Sequence, residues 1–135
     1  MNNFVFYSGA FVVVLGVLIV VHELGHYVAA RLCGVKVLRF SVGFGRMLWK
    51  RRLGQDQTEW AISIFPLGGY VKMLDEREGE VAANETHHAF NRQGVGKRSV
   101  IVAAGPLANF ALAILIYWAI FMHGTDELLP VLGTP

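Results

Sequence analysis

The chain has 135 residues, 54% of them hydrophobic, with a mean hydropathy of +0.46 and a formal net charge of +2. Its apolar residues fall mainly in two blocks, 4–32 and 99–122, each long enough to cross a bilayer, so the expected class is an α-helical membrane protein. The small net charge, with seven acidic residues sharing the segment that holds all twelve Lys and Arg, gives no indication of nucleic-acid binding.

The first block leads directly into His22-Glu23-Leu24-Gly25-His26. On a helix, residues four apart project from one face about a turn apart, so His22 and His26 can aim their imidazoles at one ion. That supplies two of the three protein ligands a catalytic zinc normally takes. Glu23 lies about 100° around the helix from His22, beside the ion, where its carboxylate can take a proton from an attacking water. On a soluble helix such a pattern also arises by chance. Here the context differs, because a charged residue at the centre of a membrane helix costs about 2.5–3.5 kcal/mol, and such residues usually serve function. If the span begins near Phe4, roughly 20 residues at about 1.5 Å each cross the hydrocarbon. The motif then sits within the membrane, close to its far boundary. Cys33 lies on nearly the same stripe, but its rise of about 10 Å beyond His26 is too long for an ion with bonds near 2 Å; packing is its expected role. Gly34 is a plausible helix stop. The leader Met1-Asn2-Asn3 carries no Lys or Arg and no small-residue cleavage pattern follows the apolar run before the motif, so a cleaved signal peptide is not expected.

All twelve Lys and Arg lie between Arg31 and Arg98. The positive-inside rule therefore places residues 34–98 in the cytoplasm and both ends of the chain outside, with the motif toward the cytoplasmic side. Within this segment Leu38, Phe40, Val42 and Phe44 alternate with Arg39, Ser41 and Gly43, and Trp60, Ile62 and Ile64 alternate with Glu59, Ala61 and Ser63. Period two predicts β-strands. Pro66-Leu67-Gly68-Gly69 then predicts a turn into a strand over residues 70–74. The apolar end at Ile64 and Phe65 is unusual for a solvated loop, and a hairpin packed beside the site, or dipping into the membrane edge against protein, explains it. Such a hairpin can hold an extended substrate as an added strand or form a small sheet that covers the helix ends; the sequence leaves both open. Lys50-Arg51-Arg52 suits anionic lipid head groups. Residues 75–85 read as an acidic solvated loop. His87 and His88 are adjacent, so their side chains diverge, and surface imidazoles are expected there.

In the second block, Pro106 frees a backbone carbonyl and bends the helix. Asn109 is a polar side chain at membrane depth, level with His22 and His26. It can join helices by hydrogen bonding, or its amide can bind a substrate backbone and help hold an oxyanion.

Taken together, HELGH, RFSVGFG, PLGGYVKMLDE, HHAF and AGPLAN, in that order across essentially the whole chain, resemble the N-terminal part of the site-2 protease family of intramembrane zinc metalloproteases. The resemblance implies a zinc-dependent endopeptidase of the bacterial inner membrane, with His22 and His26 on the ion and Glu23 as catalytic base. It implies that residues 65–72 belong to a membrane-reentrant β-hairpin that handles substrate, which makes Phe65, Gly68, Gly69 and Tyr70 expected substrate contacts along with Asn109. The substrates it implies are single-pass membrane proteins such as an anti-sigma factor already trimmed outside, and leftover signal peptides. The expected organisation is a first transmembrane helix at 1–33, a cytoplasmic segment at 34–98, a second transmembrane helix at 99–122 and a periplasmic tail at 123–135. Family members continue into periplasmic PDZ domains and further helices, one of which supplies an aspartate as third zinc ligand. Asp126 and Glu127 follow the second span and by topology lie roughly 30 Å from the motif across the bilayer, so the chain is expected to be the first part of a longer protein. The competing readings are a catalytically incomplete two-span protein that acts by binding a partner, and a metal-handling membrane protein without hydrolysis.

Overall fold

A computed structural model describes residues 3–124, the side chain of Pro66 excepted. The order is α1 (Asn3–Leu32), β1 (Val37–Leu53), β2 (Thr58–Met73) and α2 (Val95–His123), with two short 3-10 turns, Thr86–His88 and Phe90–Arg92, before α2. The expected tail residues Asp126 and Glu127 lie outside the described residues.

Both helices are long and apolar enough to cross a membrane. Their large side chains point outward, Phe11 being 65% and Ile114 68% exposed. In water so extended an apolar surface would drive association, whereas hydrocarbon solvates it. α1 stops where Gly34 suggests: Gly34 has φ +80, its N–H donates to the Arg31 carbonyl (3.1 Å), and the Val35 N–H donates to the Ala30 carbonyl (2.9 Å). This pair of bonds is a Schellman cap, which satisfies two of the otherwise unpaired last carbonyls. α2 begins four residues before the apolar block, at Val95, and runs unbroken through Pro106.

β1 and β2 form one antiparallel sheet. One detail differs from the sequence expectation: β1 continues past Phe44 to Leu53. β2 is continuous as an element through residues 66–69, yet its pairing with residues 39–42 rises in step over 59–62 and falls over 69–72, so the chain turns back where the turn was expected. Residues 39–42 consequently have partners on both sides, 69–72 along one and 59–62 along the other, while 47–53 pair back onto 58–63. Gly68 permits the bend: its φ is +145, and a Cβ there would collide with the Phe44 ring.

The buried core is small and lies at one end of the helix pair. Ala29, Ala30, Val35, Val37 and Ile101 form it, with Tyr27, Met73 and Phe90 packed around. The sheet is held along α1 by Tyr27, whose ring meets Phe40 (5.8 Å) and Trp60 (5.1 Å) edge-on. Arg31 pairs with Asp56 in the turn between the strands. The segment before α2 is stitched to this end: the Lys36 N–H donates to the His88 carbonyl (3.1 Å), the His88 ring Nδ1 to the Gly34 carbonyl (2.8 Å), and the Phe90 N–H to the Leu74 carbonyl (2.7 Å). Both His87 and His88 are exposed, as surface imidazoles should be, but their side chains do not diverge: in the short 3-10 turn the ring centroids lie 3.9 Å apart.

Glu76 closes the acidic loop onto the same segment, accepting from Arg92 Nε (2.7 Å) and Asn91 Nδ2 (2.7 Å). The Arg92 hydrogen bonds and then the Asn91 bond hold its carboxyl below the usual carboxylate range. A depressed pKa stabilises the closed loop at pH above the unfolded carboxylate value, and that stabilisation is lost as pH falls through the folded value. Exchange protection over residues 75–80, taken relative to the intrinsic rate at each pH, is therefore expected to fall on acidification below the ordinary carboxylate range, and in Glu76→Gln to be low already at neutral pH and to change little with acidification. Equal protection in the two proteins would show that the contact does not hold the loop.

Candidate metal centre

His22 and His26 occupy successive turns of α1, and their Nε2 atoms face each other at 3.2 Å with the rings at 80°. Two nitrogens bound to one tetrahedral ion at about 2.0–2.1 Å stand about 3.3–3.4 Å apart, so the pair is spaced as two ligands of a single cation. His26 Nδ1 donates to the backbone carbonyl of Ile101 on α2 (2.8 Å), which leaves Nε2 unprotonated and its lone pair free. His22 Nδ1 lies 3.4 Å from the Asn109 amide, also on α2. Among the described residues no group of three His, Cys, Asp or Glu side chains forms a metal site. The histidines fit two positions of a zinc coordination shell.

The fit depends on residues with little or no side chain. A Cβ on Gly105 would fall 2.8 Å from His22 Nε2 and closer still to His26 Nε2. A Cβ on Gly25 would fall 2.8 Å from the Ala108 Cβ and strike the Ala104 carbonyl. The bare backbone thus lets the two helices approach until α2 touches both imidazoles.

Glu23 is half-buried between two clefts. One, about 440 Å³, is lined by Leu18, Ile19, His22, Phe44, Gly69 and Asn109 among others. The second opens beside His26, Met73, Phe90 and Ile101. Gly69 lies directly against the carboxylate arm, since a Cβ there would stand 3.0 Å from Glu23 Cγ and 2.8 Å from the Ser41 carbonyl. A carboxylate so placed can exchange a proton with a molecule held beside the two imidazoles.

The structure therefore gathers His22, Glu23, Gly68, Gly69 and Asn109 around one cleft, with His26 against His22 and lining the second. It does not bring Phe65 or Tyr70 to the cleft lining: Phe65 pairs with Phe44 at the sheet end and is 60% exposed, and the Tyr70 hydroxyl accepts from Arg39 (3.2 Å). Three contributors escaped the sequence reading. Gly105 carried a signal, a glycine one turn before a polar residue inside an apolar span. Phe44 was visible only as a strand residue, and the Ile101 carbonyl is backbone, which no side-chain pattern reports.

Residues 10–132 match the sequence pattern of peptidase family M50. The chain is 53% identical over 135 residues to the regulator of sigma-E protease RseP of Escherichia coli K12, covering 98% of this chain and 29% of that protein. It is 54% identical over 124 residues to a putative zinc metalloprotease of Vibrio cholerae, and 56% identical over 124 residues to RseP of Salmonella typhimurium strain 14028s, each covering 92% of this chain and 27% of the relative. The chain thus spans less than a third of the length of these relatives.

Gly105→Ala is expected to push the two imidazoles apart and to weaken divalent-metal binding about ten-fold or more. Competition with a chromophoric chelator measures it. Unchanged affinity in a folded variant would mean that the histidines bind metal without the close helix crossing.

Proposed function

The chain belongs to peptidase family M50, and from that premise we propose that it forms the first, zinc-binding part of an intramembrane endopeptidase of the bacterial inner membrane. The observation that carries this is the 3.2 Å pairing of His22 and His26 Nε2 with Glu23 at the head of a cleft. Zinc held there supplies Lewis acidity, polarising a carbonyl and making water a stronger acid at neutral pH. The chain's own groups do the rest. Glu23 takes the proton of the attacking water and returns it to the leaving amine. The Ile101 carbonyl keeps the His26 proton on Nδ1, and the Asn109 amide donates to a peptide oxygen. The resemblance to the family implies that an aspartate on a further helix completes the zinc shell.

Substrate is bound as an extended chain. Residues 69–73 of β2 have β1 partners along one side only, and an open edge of this kind accepts a peptide as a further strand. Gly69, at the head of that edge and against Glu23, brings the bound backbone to the site. Phe65 and Tyr70, at the sheet end and edge, contact the substrate as it enters. The sheet reaches into the membrane. Its turn meets α1 at Arg31, its aromatic residues at Tyr27, Gly69 at Glu23 and Ile19, and Phe44 shares a cleft with Leu15, a climb of about 1.5 Å per residue along α1. The apolar exposed tip, with Phe44, Met47, Phe65 and Leu67, supports the same reentrant placement. The exposed Lys50, Arg51 and Arg52 meet anionic head groups at the cytoplasmic surface, and the Lys and Arg distribution puts the segment between the helices in the cytoplasm and both chain ends in the periplasm.

The proposed substrates are single-pass membrane proteins of the anti-sigma-factor kind, which the sequence resemblance implies and with which the relatives' name, regulator of sigma-E protease, agrees; remnant signal peptides are a further source of suitable spans. Glu23→Gln in the intact protein is expected to lower cleavage of a membrane-spanning reporter by about 10²- to 10⁴-fold, followed by immunoblot, while leaving the protein membrane-inserted. Cleavage at the unmodified rate would sink the protease reading and favour a two-span protein that acts by binding.

A further inference from the structure

α2 presents Ile101, Gly105 and Asn109, each four residues from the next, along one face toward the motif on α1. Two of the three have a clear role, since the Ile101 carbonyl accepts from His26 Nδ1 at 2.8 Å and Gly105 leaves room for both rings. At the third, the Asn109 Nδ2 stands 3.4 Å from His22 Nδ1, while Asn109 Oδ1 is buried with no hydrogen-bond partner. An imidazole that gives Nε2 to a cation keeps its proton on Nδ1 and is a donor there. Nδ2 is also a donor, so this pairing sets two donors face to face and cannot close. A half-turn of the amide exchanges two atoms of nearly equal size, a change that diffraction itself does not distinguish at ordinary resolution. It brings Oδ1 to the His22 proton, allows the contact to shorten toward about 2.9 Å, and satisfies the buried oxygen.

We propose that Asn109 is a positioning residue of the metal centre, whose Oδ1 accepts the His22 Nδ1–H bond and so fixes the ring that His22 offers to the ion, as the Ile101 carbonyl does for His26. This rests on the metal-site reading of His22 and His26. It also gives the two ends of one amide separate work, Oδ1 on the histidine and Nδ2 free to donate to a substrate carbonyl. A substrate-binding role alone requires only the donor, whereas the positioning role requires the acceptor.

Zn²⁺ affinity, measured by chelator competition on the intact protein in lipid nanodiscs, separates these roles without reference to activity. Asn109→Leu, which has no acceptor, is expected to bind Zn²⁺ about 10- to 100-fold more weakly. Asn109→Asp keeps an acceptor and loses the donor, and is expected to bind at least as tightly as the unmodified protein. Nitrogen-15 spectra of the metal-free protein supply a second readout, in which His22 carries its proton on Nδ1 in the unmodified protein and the Asp variant. Unchanged Zn²⁺ affinity in Asn109→Leu would overturn the proposal alone, as would a His22 protonated on Nε2 in the unmodified protein should the Leu variant not fold. Failure of the unmodified protein to bind Zn²⁺ would overturn the metal site, and this proposal with it.

Discussion

The close crossing of α1 and α2 is the constraint from which the rest of the site follows. In a bilayer, lipid tails are as apolar as leucine, so two helices gain nothing by hiding apolar side chains from each other; van der Waals fit and interhelical hydrogen bonds hold them instead. Gly25 against Ala104 and Ala108, and Gly105 against the two imidazoles, supply the fit. The His26–Ile101 and His22–Asn109 contacts supply the polar part. The same short separation that holds the helices together also brings a carbonyl and an amide within reach of two ring nitrogens. Helix packing and imidazole orientation are therefore one feature of the structure, and enlarging either glycine disturbs both.

A second constraint sets the height of the sheet beside α1. Tyr27 follows His26 directly, and its ring sits against both Phe40 and Trp60, which are themselves 4.5 Å apart. This cluster lies one turn of α1 from Glu23, so it fixes how far along the helix Gly69 comes to rest. At the other end the Arg31–Asp56 pair holds the turn. The pair is about a third exposed on each side and contributes little energy alone; its value is directional, since it prevents the sheet from sliding along α1 while the aromatic contacts persist.

Much of this was legible in the sequence because it rests on periodicity and side-chain chemistry. HELGH at the end of an apolar block announced two imidazoles on one helix face, which the structure sets 3.2 Å apart, and Gly34 marked the helix stop. Period-two alternation located the strands over residues 38–44 and 59–64. The extension of β1 to Leu53 was not legible, because residues 44–53 are exposed and show no inside-outside alternation. The change of direction at residues 66–69 was legible from its Pro and Gly, although nothing in their identity tells that strand pairing continues through it. α2 starts before its apolar block because Gly96, Lys97 and Arg98 are helical while polar, and hydropathy marks the lipid contact, not the hydrogen-bonded turn. Asn109 was found as a polar residue at the right depth, but its partner is set by the helix crossing, which no single segment encodes.

The position of an open strand edge beside Glu23 bears on a difficulty that any protease acting inside a membrane meets. A transmembrane substrate is helical, its carbonyls are paired within the helix, and its scissile bond is shielded by side chains. Unwinding it in hydrocarbon would strand N–H and C=O groups at a cost of several kcal/mol each. An edge strand supplies replacement partners at the place where the helix comes apart, so backbone pairing lost within the substrate is regained across the interface. In the proposed endopeptidase, Gly69, with no side chain between the edge and Glu23, would let that substituted pairing occur within reach of the carboxylate. On the proposed function, the sheet thus lowers the unwinding cost beside the site, and the helix crossing holds the histidines where the freed carbonyl is delivered.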